Sequence, residues 1–151
     1  MGVNSALPST DHYHSKCCIS RPDPTLRGHQ ANELDHAEII ALRSLEIPLD
    51  QRAGLTIYST MEPCLMCFAT IILNRIPRVV YAYEDVMGGG TSTDFSHSAP
   101  LYREAATTII PGVRRRESLA LFARFFNDPA NDYWQDSELA RYTLKEAENG
   151  P

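Results

Sequence analysis

The arrangement that most limits how this chain can fold is a pair of short motifs on two separate segments, His36-Ala37-Glu38 and Pro63-Cys64-Leu65-Met66-Cys67. Residues 34–43 are rich in Ala, Leu, Ile and Glu and predict a helix. Residues two apart on a helix diverge by roughly 200°, so His36 and Glu38 cannot share a side face. They converge only beyond the helix N-terminus, in its first turn. The second motif follows the same logic. Residues 55–60 form a β-branched and aromatic run that predicts a strand. Pro63 suits the first turn of the next helix, where its missing N–H costs nothing. Cys64 and Cys67, three apart, share one face of that helix, which continues through 68–73. A fold that satisfies both motifs must aim two helix starts at one point.

The residue types at that point define a chemistry. His36, Cys64 and Cys67 are three ligands suited to zinc, and three protein ligands leave the fourth tetrahedral position open, as catalytic sites do. The partial positive charge of a helix N-terminus favours the thiolate forms of the cysteines. Two thiolates nearly cancel the charge of the metal, which weakens its acidifying power. A carboxylate that can take a proton, here Glu38, then matters more. A Cys-x-x-Cys alone would equally suit half of a structural zinc site or a redox pair. No second Cys-x-x-Cys occurs, and the remaining cysteines, Cys17 and Cys18, are adjacent and carry no clear metal spacing.

With His-x-Glu followed by Pro-Cys-x-x-Cys, the chain resembles the zinc-dependent cytidine and deoxycytidylate deaminase superfamily. The resemblance runs over about residues 32–126. It is nearer to the branch holding tRNA adenosine deaminases, guanine deaminases and fungal-type cytosine deaminases. It implies a three-layer α/β/α sandwich with a mixed central sheet, its N-terminal elements incomplete here. It also implies one Zn²⁺ per chain held by His36, Cys64 and Cys67, with Glu38 as proton shuttle. The backbone N–H of Cys64 would help to bind the water or the substrate carbonyl. By the same resemblance, Asn32 is the nearest candidate for a base-contacting Asn, and Glu62 before Pro63 resembles the purine-acting members. Residues 125–136 resemble the C-terminal lid of fungal-type cytosine deaminase, with Tyr133 and Trp134 to stack on a base and Asp136 to accept its amino protons. Anchoring the tail to the core or to a second subunit is the alternative for those aromatics.

Further elements follow the second motif. Residues 78–83 and 106–110 predict strands, and 115–126 predict an amphipathic helix with Leu119, Leu121, Phe122 and Phe125 on or near one face. The resemblance makes the two strands parallel and places a helical connection between them. The Gly88-Gly89-Gly90 run reads as a flexible loop, since no Lys or helix start follows to make it a phosphate cradle.

The 151 residues suit one domain, and 43% hydrophobic with 22% charged content is ordinary for a soluble globular chain. The expected division is an irregular or atypical segment at 1–30, a zinc-dependent deaminase catalytic domain at 31–127 and a C-terminal tail or lid at 128–151. No apolar run approaches a membrane span and no signal peptide is evident, which makes the cytoplasm the expected location. Net charge is −5, and the one basic cluster, Arg114-Arg115-Arg116, reads as a solvated helix face. That charge disfavours a grip on an RNA backbone. The expected function is therefore zinc-dependent hydrolytic deamination of a small nucleobase or nucleoside of guanine, cytosine or adenine type. This is hydrolase chemistry on the C–N bond of a cyclic amidine, in a homodimer by resemblance. tRNA adenosine-to-inosine deamination is the alternative. From a different class, a non-catalytic zinc-stabilised binding subunit is the other reading. The intact Glu38 argues against it, because inactive members of the superfamily tend to lose that acid.

Overall fold

The structure, a computed structural model, describes residues 34–150. Asn32, Cys17, Cys18 and the segment 1–30 lie outside the described residues. Strand β1 (Thr56–Met61) alternates strictly, with Ile57, Ser59 and Met61 buried and Tyr58 exposed. Strand β2 (Arg78–Tyr83) is buried from Val79 to Tyr83 along both faces, which is the mark of a central strand with cover on each side. β1 pairs in parallel with β2, Thr56 opposite Arg78 and Met61 opposite Tyr83. Strand β3 (Thr108–Ile110) pairs in parallel with the other edge of β2. The order is β1-β2-β3.

Helix α1 (Ala37–Arg43) precedes β1, helix α2 (Leu65–Leu73) connects β1 to β2, and the short helix α3 (Pro100–Arg103) connects β2 to β3. Parallel neighbours joined by right-handed crossovers in one direction place α2 and α3 on the same face of the sheet. Leu42, Ile57, Phe68, Ile71, Ile72, Val79 and Tyr81 form one apolar cluster there, with Phe95 and Tyr102 packed against it. Helices α4 (Arg115–Phe126) and α5 (Glu138–Glu148) pack on each other and, with Met61 and Tyr83, build a second cluster around Phe122, Phe126, Leu139 and Ala140. Buried Arg52 ties the chain before β1 to the end of α2, donating to the Ile47 carbonyl and to Asn74 Oδ1, each at 2.7 Å.

The protein thus has an α/β fold with parallel strands and helical connections, as the motif order implies. The sheet formed by the described residues is parallel throughout. Two features differ from expectation. The first helix starts at Ala37 rather than at residue 34, because His36 must stay extended to cap it. In α4 the buried stripe is Ser118, Phe122, Ala123 and Phe126, while Leu121 is 50% exposed, one step around the helix from it. Residues 138–148, within the expected tail or lid, form a helix built into the second cluster. Its start is signalled by Ser137, whose side chain accepts from the Ala140 N–H at 3.0 Å. No helix among the described residues is long and apolar enough to cross a membrane.

Candidate metal centre and its surroundings

His36 is the N-cap of α1 and Cys64 the N-cap of α2, each with extended backbone (ψ 148° and 169°). Their side chains therefore leave the two helix starts and meet. His36 Nδ1 lies 3.5 Å from Cys64 Sγ and 3.4 Å from Cys67 Sγ, and one donor atom from each of the three residues lies within 4.8 Å of the others. Zinc–sulfur and zinc–nitrogen bonds of ordinary length at a tetrahedral angle put sulfur and nitrogen ~3.5 Å apart. The two nitrogen–sulfur separations match that edge, so the donor set fits a zinc ion in both chemistry and spacing. Cys67 is completely buried because it begins the inward stripe that Ile71 continues one turn later, whereas Cys64 is half-buried.

The two thiols are electrostatically unequal. The hydrogen bond from Cys67 lowers Cys64 to about 6, against the opposing effect of burial and with help from backbone donors and His36. The same bond raises Cys67, reinforced by its burial and by the negative charge of Glu38.

Glu38 stands directly behind this group. It is 4% exposed, and its Oε2 is 3.6 Å from Cys67 Sγ. Its Oε1 accepts a hydrogen bond from Ser59 Oγ at 3.1 Å. A buried carboxylate beside three metal-ligand side chains, with one oxygen tethered, can move a proton along a short fixed path. The four residues that the motifs single out are thus brought together.

Glu62, the acid just before Pro63, is held at both oxygens. Oε1 accepts from the Thr91 N–H at 3.1 Å and the Thr91 hydroxyl at 2.5 Å, and Oε2 accepts from the Asp85 N–H at 3.2 Å. Both oxygens are committed to the loop after β2. The same loop lays Gly89 against Cys64 as an antiparallel bridge, and the Gly90 N–H donates to the Pro63 carbonyl at 2.9 Å. A Cβ on Gly89 would fall 2.5 Å from Glu62 Oε2 and 2.6 Å from the Asp85 carbonyl oxygen. The glycine run is therefore a close-packed cover on the start of α2, not a flexible loop.

Tyr133 and Trp134 lie in the connection between α4 and α5 and stack on each other, 5.0 Å between centroids and 11° between planes. Trp134 adopts a left-handed backbone (φ 55°) and is 43% exposed. Asp136 is exposed in the same connection and offers its backbone carbonyl to Arg141. Ser59 and the Glu62 clamp escaped the sequence reading. The available signal for Ser59 was a polar residue at an inward position of an alternating strand.

Comparison with known proteins agrees with this geometry. Residues 2–83 match the family model described as the cytidine and deoxycytidylate deaminase zinc-binding region. This chain belongs to that family. The match starts well before residue 32, so the family region takes in most of the N-terminal segment. Among similar proteins is the tRNA-specific adenosine deaminase of Agrobacterium fabrum, 31% identical over 111 residues, 70% of this chain and 73% of that protein. The tRNA-specific adenosine deaminases of Bacillus subtilis (28% identical; 68% of this chain, 65% of that one) and Rickettsia felis (31% identical; 77% and 81%) are similar too. A solved structure from work on A-to-I editing by tRNA:A34 deaminases at the wobble position of transfer RNA is 30% identical. It covers 60% of this chain and 67% of its own, with a TM-score of 0.48.

Proposed function

We propose that this protein is a hydrolytic deaminase acting on an adenine base in tRNA, with His36, Cys64 and Cys67 holding one zinc ion and Glu38 carrying the proton. The observation that carries the chemistry is the buried Glu38 carboxylate, 3.6 Å from Cys67 Sγ and tethered by Ser59, against a donor set with zinc spacing. A zinc held by His36, Cys64 and Cys67 would supply Lewis-acid polarisation of a water. Glu38 takes one proton from the attacking water and delivers it to the ring nitrogen beside the amino-bearing carbon. The C–N bond then breaks as Glu38 passes the proton of the new hydroxyl to the amino group, which leaves as ammonia while the ring carbon becomes a carbonyl. By the family resemblance, the Cys64 backbone N–H at the start of α2 would donate to that developing oxygen. The loop clamped by Glu62 bridges Cys64 through Gly89 at the start of α2.

The substrate assignment rests on the named activity of the relatives. A second reading, a free nucleobase or nucleoside, is supported by the net charge of −5 and by the exposed Tyr133–Trp134 stack. In either case Asn32, Tyr133, Trp134 and Asp136 are the candidates for gripping the base. A homodimer in the cytoplasm is the corresponding cellular reading, and sedimentation of the full chain tests the first part. Metal-loaded protein is to be offered a tRNA anticodon arm containing adenosine, and guanine, cytosine, adenine and their nucleosides, at two salt concentrations. Inosine in the RNA, with steep salt dependence, is expected. Ammonia from a free base with none from RNA would transfer the assignment to the second reading. Glu38→Gln should keep its zinc and lose at least ~100-fold in turnover. Turnover close to wild type would remove Glu38 from the mechanism.

A further inference from the structure

Ser59 is a polar residue in a position built for an apolar one. It sits between Ile57 and Met61 on the inward face of β1 and is 7% exposed. A hydroxyl buried there without a partner is destabilising, so its presence requires an acceptor. The acceptor is Glu38 Oε1, 3.1 Å away and 21 residues earlier in the chain. Glu38 belongs to a helix of only seven residues, and its own first turn supplies no side-chain cap. Its carboxylate ends a side chain with three rotatable bonds, and β1, hydrogen-bonded along its length to β2, is the more rigid of the two supports.

We infer that Ser59 is a positioning residue, which pins one oxygen of Glu38 so that the other faces the His36–Cys64–Cys67 group. The division of labour is visible in the two contacts of the carboxylate. Oε1 is taken by the strand, and Oε2 is directed at Cys67 Sγ. With Oε1 released, the carboxylate can turn about its last bond and exchange its two oxygens, and a proton carrier that samples several orientations loses rate rather than affinity. The inference rests on the proposed role of Glu38, but the pinning itself does not need turnover to be observed.

The test uses the full chain carrying Ser59→Ala, Ser59→Thr and Ser59→Val. Thr keeps the hydroxyl and suits a strand, and Val keeps the shape of Thr without it. Protein labelled with ¹³C at glutamate carboxyls reads the pinning directly, with the Glu38 signal identified by its loss in Glu38→Gln. That signal should move in Ser59→Ala and Ser59→Val and return toward wild type in Ser59→Thr. On the substrate that wild-type protein turns over in the panel above, Ser59→Ala and Ser59→Val should lower kcat by about 10-fold with KM little changed and zinc content equal. Ser59→Thr should recover most of it. An unmoved carboxylate signal, or Val performing as well as Thr, overturns the inference. A shifted signal in protein that deaminates nothing would leave the pinning standing and reject the deaminase reading instead.

Discussion

Arg115 closes a fork on Glu84: its Nε donates to both carboxylate oxygens, at 2.8 and 3.1 Å, and its Nη2 donates to Oε1. The guanidinium also lies 5.4 Å from the centre of the Tyr83 ring and reaches Glu146 on α5 at 2.8 Å, while the Tyr142 hydroxyl donates to Glu84 at 2.6 Å. The middle arginine of the basic run is thus the clasp between the end of β2, α4 and α5. Its neighbours Arg114, paired with Glu117 at the surface, and Arg116 are both exposed and fit the expected solvated face.

This clasp predicts an acid response. Burial pushes the Glu84 carboxyl up, but the hydrogen bonds from Arg115 and Tyr142 prevail and hold it at about 2, below its ordinary 4.5. A carboxyl depressed on folding contributes stability that is present above its unfolded value and lost as pH falls toward the folded one. The melting temperature of wild type should therefore exceed that of Glu84→Gln at pH 6, and the gap should shrink between about pH 4.5 and 2. A gap that stays constant across that range would show that the pair contributes through packing and not through charge.

Metal and fold should be coupled at the candidate centre. Purified full-length protein is expected to hold about one zinc per chain. Cys64→Ser or Cys67→Ser should lose metal and melting temperature together, because ligands drawn from two segments link metal binding to folding. Elemental analysis beside thermal melts checks this. Active protein with no metal would sink the assignment.

The glycine run offers a steric test. Gly89→Ala must displace the Glu62 carboxylate and the Asp85 carbonyl, and Gly90→Ala would meet the backbone of Leu65. Each should cost about 1–3 kcal/mol by overpacking. Gly54→Ala, with nothing within 4 Å of the new methyl, is the control and should be neutral or mildly stabilising. Denaturant midpoints for the three variants decide it. Equal behaviour of all three would mean that the cover over α2 gives way freely.

The C-terminal region calls for point changes instead of truncation. Leu139 is almost fully buried between α4 and α5, so Leu139→Ala should cost about 2–5 kcal/mol. Cutting the chain before α5 would confuse loss of fold with loss of a lid. Trp134→Ala, at an exposed site, should leave melting nearly unchanged and raise KM if the stack grips the base. Unchanged KM would assign the aromatics to anchoring.

What the sequence made legible follows the range of each interaction. The bounds of β2 and α4 are those expected, since alternation and helical periodicity are local. The centre was legible because both motifs sit at helix starts, where a few adjacent residues set direction. The partners of Arg115 and Glu62 were not, because they lie 23 to 31 residues away and only the folded sheet brings them together. α5 was obscured by its acidic surroundings, although the Ser137 cap and the inward Leu139, Ala140 and Thr143 mark it.

The unequal origin of the three donors has a consequence for the order of assembly. Cys64 and Cys67 sit three residues apart at the start of one helix, whereas His36 arrives from a seven-residue helix 28 residues upstream. So short a helix is marginal on its own and gains its structure on docking. Loop closure makes that docking the later event. The chain should pass through a form that holds a cation by two thiolates alone, and His36 and Glu38 would then enter in a single movement. Stopped-flow refolding with Co²⁺, whose absorption distinguishes sulfur-only from mixed ligation, should show the thiolate band rising ahead of the imidazole-dependent change. Simultaneous growth of both would mean that the ligands gather in one step.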